Sequence, residues 1–269
     1  MDLPEIRTVA QPRTRDDLPP CGAGSAWLAG GTWLFSEPQP GLHALIDLAG
    51  MGWPALEPSA AWLRIGATCP IASLEAFAAA ADWPAAPLFA GCCRALLGSF
   101  KIAGVATVGG NVCLSLPAAP MLSLTVALDG VARVWGPNGT ERQVPMAGFT
   151  TGPHRTVLAP GELLRCIDLP DAALRRRGAM RQASLTAHGR SAALLVATME
   201  AGRFALTVTA STVRPVHAAW AAAPSREALD AHITSFPVAL WHDDVHGAPA
   251  WRRHMTRRLA AELHEELLG

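Results

Sequence analysis

The amino-acid sequence predicts an α+β protein, on three observations. Half of the 269 side chains are apolar and charge is sparse, 22 basic residues against 22 acidic, so the chain can bury a large core. Through the first two thirds, short β-branched or aliphatic runs alternate with Ala-rich stretches of helical composition. The last third reads as three strands followed by two helices. Balanced charge also excludes a global field that would draw the chain onto nucleic acid or an anionic membrane, so any phosphate it binds is held locally.

Taken in order, the chain starts Pro-rich up to Pro20, and residues 1–15 hold no apolar stretch resembling a signal peptide. Residues 26–29 read as a short buried strand running into Gly30-Gly31-Thr32, and residues 44–48 and 62–65 are further strands. Residues 71–81 and 85–97 have helical composition. Residues 105–108 form a β-branched strand that stops at Gly109-Gly110-Asn111, and residues 121–128 read as a buried helix after Pro120. Glycines and prolines interrupt the uncharged segment 102–128, which argues against a membrane-spanning helix. Residues 132–135 and 141–144 flank Pro137-Asn138-Gly139, a hairpin signal, and residues 163–169 form a strand closed by Pro170.

Arg175-Arg176-Arg177-Gly178 breaks the composition and reads as a solvated hinge at a domain boundary, dividing residues 1–174 from 175–269. Strands follow at 179–184, 192–199 and 204–212, with Ala201-Gly202 turning between the last two. The terminal helix, from about residue 251 to 268, sets Met255, Leu259, Leu263 and Leu267 on one stripe and pairs Arg258 with Glu262.

Cys21, Cys69, Cys92, Cys93, Cys113 and Cys166 show neither CxxC spacing nor a secreted framework, so they read as reduced thiols in a cytoplasmic protein and not as ligands of zinc or an iron-sulfur cluster. His242-Asp243-Asp244-Val245-His246 has metal-ligand residue types, but Gly247 and Pro249 disfavour a helix there and no third ligand group is placed, so it reads as a solvated loop. Gly22-Ala23-Gly24 lacks the third glycine of a dinucleotide fingerprint and precedes its strand. No GxSxG or GxxxxGK[ST] is present, which leaves hydrolase chemistry without a foothold.

What remains are two glycine pairs, Ala29-Gly30-Gly31-Thr32-Trp33-Leu34 and Ala106-Thr107-Val108-Gly109-Gly110-Asn111. Glycine admits positive φ and close approach, so successive N–H groups can converge on phosphate oxygens without a lysine. The hydroxyls of Thr32 and Thr107 and the amide of Asn111 add neutral donors. Trp33 reads equally as a shield for a bound ring or as core.

Set in their flanks, Leu28 to Leu34, Leu45-Ile46-Asp47-Leu48, Leu63-Arg64-Ile65-Gly66-Ala67 and Ala106 to Asn111 resemble the FAD-binding (medium) subunits of the molybdenum hydroxylases, the xanthine dehydrogenase and aerobic carbon monoxide dehydrogenase family. The likeness continues through Phe149-Thr150-Thr151-Gly152, Glu162-Leu163-Leu164, Arg181-Gln182-Ala183-Ser184 and Trp251-Arg252-Arg253-His254-Met255, nearly the whole chain. It implies a two-subdomain FAD-binding fold of the vanillyl-alcohol-oxidase (PCMH) type, about residues 1–50 and 51–174, followed at 175–269 by a small domain of antiparallel sheet plus helices.

By the same resemblance, Ala29, Gly30, Gly31, Thr32, Trp33 and Leu34 wrap the FAD pyrophosphate, and Thr107, Gly109, Gly110 and Asn111 form a second phosphate-facing loop. Leu164 touches the ring system. Arg181 stands where the family usually has a lysine near the flavin, a cation that would favour the anionic reduced ring. The implied role is electron transfer with no catalytic side chain. A molybdenum-cofactor large subunit oxidises the substrate, 2Fe-2S clusters of a small subunit conduct the electrons, and this chain's FAD passes them to an acceptor, in a cytoplasmic dimer of heterotrimers. Two alternatives stay open: a scaffold subunit that has lost FAD, since Pro120 stands where the family commonly has an aspartate, and a free-standing flavin oxidase.

Overall fold

The computed structural model describes residues 3–269. Strands β1 (Thr8–Ala10), β2 (Ser25–Leu28) and β3 (Ala44–Asp47) form a parallel sheet in the order β1-β3-β2. Next come β4 (Leu56–Pro58) and β5 (Trp62–Gly66). Five helices follow: α1 (Ile71–Ala79), α2 (Ala86–Arg94), α3 (Phe100–Ala103), α4 (Val108–Leu114) and α5 (Pro120–Ala127). The chain returns through β6 (Val131–Trp135), β7 (Glu141–Pro145), the small hairpin β8 (Thr150–Gly152) and β9 (Arg155–Thr156), and β10 (Leu163–Pro170). Strand β10 lies at the centre of an antiparallel sheet ordered β4-β5-β10-β6-β7. After α6 (Asp171–Leu174), strands β11 (Arg177–Ala183), β12 (Ala193–Glu200), β13 (Arg203–Thr209) and β14 (Val216–Trp220) make an antiparallel meander, closed by α7 (Arg226–Thr234) and α8 (Pro249–Leu268).

Burial explains the apolar run Ala193-Leu194-Leu195-Val196-Ala197. Successive side chains of a strand point to opposite faces, and β12 is covered on both. Leu194 and Val196 join the main core with α2 and α5, whereas Ala193, Leu195 and Ala197 join a second core with Leu259, Leu263 and Leu267 of α8. Helix α5 is buried along its whole length, so it shows no amphipathic period. Its polar groups are satisfied: Ser123 Oγ lies 2.6 Å from Thr209 Oγ1, and Thr125 Oγ1 donates to the Met121 carbonyl at 2.7 Å. On β10, buried Asp168 takes Arg64 Nε at 2.7 Å and Arg133 Nε at 2.8 Å from the flanking strands. Burial alone would raise its pKa; the hydrogen bonds from the two arginines outweigh that and hold it below the usual carboxylate value.

Four expectations are corrected. Residues 105–108 are not a strand: Thr107 is the N-cap of α4 and the second glycine pair lies in its first turn, a helix hidden by the poor propensity of Gly-Gly. The arginine run is only partly solvated, with Arg175 and Arg177 exposed and Arg176 buried. Arg175 pairs with Asp171, Arg176 is buried against Asp129 at 2.7 Å, and Arg177 donates to the Leu267 carbonyl. Strand β14 was masked by the helical composition of Val216-His217-Ala218-Ala219-Trp220. Finally, the segment 242–246 is a loop, exposed at Asp243 and Val245, but not wholly solvated: Asp244 pairs with His242 and with Arg252, which is fully buried and also donates to the carbonyls of Ala192, Ala210 and Gly247. Among the described residues no cluster of three His, Cys, Asp or Glu is placed to hold a metal, and the six cysteines are unpaired. Among the described residues no helix is long and apolar enough to cross a membrane.

Candidate cofactor site

Strand β2 delivers residues 29–34 to the wall of a cleft of about 600 Å3. The Phe35 N–H donates to the Gly31 carbonyl at 2.9 Å and the Ser36 N–H to the Trp33 carbonyl at 2.9 Å, which curls the loop into a turn. Gly31 has φ +69°, and a Cβ at Gly30 would lie 2.0 Å from the Val105 backbone oxygen, so only this pair lets the loop bend and close on residues 105–106. Among the described residues, no protein acceptor takes the N–H groups of Gly30, Gly31, Thr32, Trp33 or Leu34. All five residues line the cleft, and successive unspent N–H groups in a turn form an anion nest.

The second glycine pair is built differently. Val108 N donates to Cys69 O, Gly109 N to Ala67 O, Gly110 N to Thr107 Oγ1 and Asn111 N to Thr107 O, each at 2.9 or 3.0 Å. These amides are spent inside the protein. What α4 offers the cleft is side chains: the Thr107 hydroxyl keeps its own hydrogen to donate, and Asn111 Oδ1 accepts from Met121 N at 3.1 Å. That bond fixes the amide, leaving both Nδ2 hydrogens without a protein acceptor among the described residues.

The rest of the wall is apolar, with Leu96, Leu97 and Ile102 on one side and Leu114, Leu116 and Pro120 on another. Trp27 reaches it with its indole N–H on the Glu162 carbonyl at 3.0 Å, and Trp33 stands 5.8 Å from the His154 ring. Cys113 adds no charge, because burial pushes its thiol up to about 12. Among the described residues no carboxylate lines the cleft; His188 and Arg190, from the β11–β12 connection, also line it. Neither carried a recognisable sequence signal.

Residues 17–172, more than half of the chain, match the family model described as FAD binding domain in molybdopterin dehydrogenase. The chain belongs to that family. Among curated relatives of this FAD-binding family, the putative xanthine dehydrogenase FAD-binding subunit XdhB of Escherichia coli K12 is 36% identical over 70 residues, 26% of this chain and 24% of that protein. The xanthine dehydrogenase FAD-binding subunit of Escherichia coli O157:H7 matches equally, so the matched segment spans about a quarter of these relatives.

The fold is shared over its full length with solved structures. Carbon monoxide dehydrogenase from Oligotropha carboxidovorans superposes with a TM-score of 0.82 at 22% identity, covering 98% of each chain. Quinoline 2-oxidoreductase from Pseudomonas putida 86 gives 0.74 at 18% identity, over 99% of this chain and 98% of that one. The two-subdomain FAD-binding architecture with its antiparallel C-terminal sheet is therefore the fold of this chain.

The residues present fit FAD, the cofactor for which the family is named. A diphosphate needs convergent neutral donors in a chain without net charge, and the Gly30–Leu34 turn supplies them beside a wall free of carboxylates. Two flat ring systems need apolar walls, and the volume falls within the range of cofactor clefts.

Of the twelve residues singled out in the sequence, Ala29, Gly30, Gly31, Thr32, Trp33, Leu34, Thr107, Gly110 and Asn111 are brought together on the cleft. Three are not among its lining residues. Gly109 packs on Ala67, where a Cβ would meet the Ala67 oxygen at 2.5 Å. Leu164 is buried in the main core on β10. Arg181 turns to α8, with Nη2 2.5 Å from Glu266 and Nε 3.7 Å from Glu262.

Proposed function

We propose that this chain holds FAD as the electron-transfer subunit of a molybdenum-containing dehydrogenase. In that role bound FAD would supply the relay between the 2Fe-2S clusters of a small partner subunit and an external acceptor, with the substrate oxidised at the molybdenum cofactor of a large subunit. The observation that carries the reading is the row of five unspent amides, Gly30 to Leu34, facing a cleft wall without carboxylates.

In this reading those amides hold the diphosphate, and Thr107 Oγ1 and Asn111 Nδ2 donate from the facing helix. Leu97 and Ile102 exclude water from the ring, and Trp33, braced by His154, covers it. Gly109, Leu164 and Arg181 support the cleft from behind. When bound, FAD supplies reversible one- and two-electron transfer. No side chain of the chain has to act as nucleophile or general acid. Residues 1–174 would form the cofactor-binding part and 175–269 the C-terminal domain, and the unpaired cysteines suit a cytoplasmic setting.

The test is reconstitution. The purified chain is expected to take up one equivalent of FAD with a flavin absorbance band, and the tagged chain to bring down a molybdenum-containing and an iron-sulfur subunit from its own cells. A chain that stays colourless with excess FAD supports the scaffold alternative, and turnover of an organic substrate by the chain alone supports the oxidase.

A further inference from the structure

The cleft wall carries one permanently charged side chain, Arg190. It lies in the β11–β12 connection, just ahead of Ser191 and Ala192, exposed at the cleft, and among the described residues it has no ion-pair or hydrogen-bond partner. Two residues further on, Ala192 anchors the end of the connection. The Ala192 N–H donates to the Ala183 carbonyl at 2.8 Å, and the Ala192 carbonyl accepts from the buried Arg252 at 2.7 Å. A cation is thus presented, close to an anchored strand end, to a cleft whose other donors are neutral.

The two other candidate cations do not serve. Arg181 is neutralised by Glu262 and Glu266 of α8 and points away. Lys101, the chain's single lysine, is exposed on α3 and does not line the cleft, although its neighbour Ile102 does.

Resting on the FAD reading above, we propose that Arg190 is the counter-ion of the cleft, pairing with an anionic group of the bound dinucleotide. Two groups of FAD offer that chemistry, the diphosphate in every redox state and the ring once reduced and anionic. With no carboxylate in the wall to compete, either one draws the guanidinium.

The experiment titrates the full chain stripped of flavin with FAD, and separately with riboflavin, at low and high salt, following flavin fluorescence. Wild type is compared with Arg190→Gln, Arg190→Lys and Arg181→Gln, circular dichroism verifies folding, and the midpoint potential of the bound flavin is measured in each. If the diphosphate is the partner, Arg190→Gln weakens FAD about tenfold, with a shallower salt dependence, and leaves riboflavin unchanged. If the reduced ring is the partner, oxidised FAD binds as before and the midpoint potential falls, because the anionic product has lost its cation. Lysine restores most of either effect. Equal FAD affinity and equal potential in wild type and Arg190→Gln, or a larger effect from Arg181→Gln, overturns the assignment of Arg190 alone. Failure of the wild-type chain to bind FAD at all overturns the reading of the cleft, and the counter-ion with it.

Discussion

Two Gly-Gly pairs contribute to one cleft, the first with both glycines and the second with Gly110 alone, and they do opposite things with their backbone. At Gly30-Gly31 the chain leaves a strand, turns, and leaves five N–H groups without a protein acceptor among the described residues. At Gly109-Gly110 it enters a helix and gives every N–H of the first turn to a neighbour, with glycine serving the close approach of α4 to Ala67. The lesson is that a glycine pair is a licence for close approach, and what approaches can be a ligand or the protein itself. The partners of the amides decide which.

Substituting one loop at a time would sharpen that division. Gly31→Asp places a negative charge in the nest and should remove flavin from the purified chain, a loss of more than about 100-fold in affinity by the cost of an unpaired charge at an anion site. An aspartate there adopts a positive φ and meets the exposed Phe35 ring at 2.6 Å and Leu28 Cδ1 at 3.1 Å, so the flavin-free chain should also lose about 1 kcal/mol of stability and still fold. Gly31→Asn isolates charge from volume, since asparagine tolerates positive φ, and should keep most of the flavin. Gly109→Ala is the reciprocal case: its Cβ meets Ala67 backbone atoms at 2.5 to 2.7 Å, so the chain should lose about 3 kcal/mol of stability by overpacking. Flavin content should fall only as far as the folded fraction does. A stable Gly109→Ala chain that cannot bind FAD would give the second loop the role of the first and erase the distinction.

The first loop was legible in the sequence because a short strand followed by Gly-Gly-Thr has one economical geometry, and its residues 29–34 all reach the cleft. The second was legible as a place but not as a structure. Gly-Gly argues against helix, and only the tertiary contact of Gly109 with Ala67 reverses that propensity. Arg181 and Arg190 were illegible for another reason. Charge alone does not say which arginine of one hairpin meets carboxylates on a helix some 80 residues later in the chain, as Arg181 does with Glu262 and Glu266. Arg252 hid in the same way, since a terminal helix normally buries leucines and this one also buries a guanidinium that holds three carbonyls and Asp244.

Thr107 belongs to both roles, which makes it the finer probe. Its oxygen caps α4 through Gly110 N at 3.0 Å while its hydrogen remains for the ligand. Thr107→Val should cost about 1 kcal/mol of stability from the lost cap, together with a several-fold loss of FAD affinity. Thr107→Ser keeps cap and donor and should restore both. Recovery of stability without recovery of binding in the serine variant would assign the affinity to the lost methyl group and remove the hydroxyl from the site.

The smallest expected effect concerns pH. The N–H groups that the first loop leaves unspent do not titrate, whereas the packing of the C-terminal sheet carries a half-buried histidine. His217 on β14 meets Thr207 Oγ1 through Nδ1 at 2.8 Å and lies 3.8 Å from Asp129, just beyond α5. Burial pushes its pKa below the ordinary value, opposed by Asp129 and aided by Arg176 and Arg203; burial does the same to His232 and, against the pull of Asp244, to His242. A histidine depressed in the folded state binds fewer protons there than in the unfolded chain. Its contribution is therefore complete above about pH 6.5 and is lost as the pH falls through the folded value. The melting temperature should drop between pH 7.5 and 5.5, and drop less in His217→Gln, whose amide can keep the Thr207 bond. Asp168 and Asp244, held below the usual carboxylate value, add their loss only in stronger acid. Flavin released across the same interval with no change in melting temperature would place the titrating group in the cleft wall and break the separation between the loop that binds and the loop that packs.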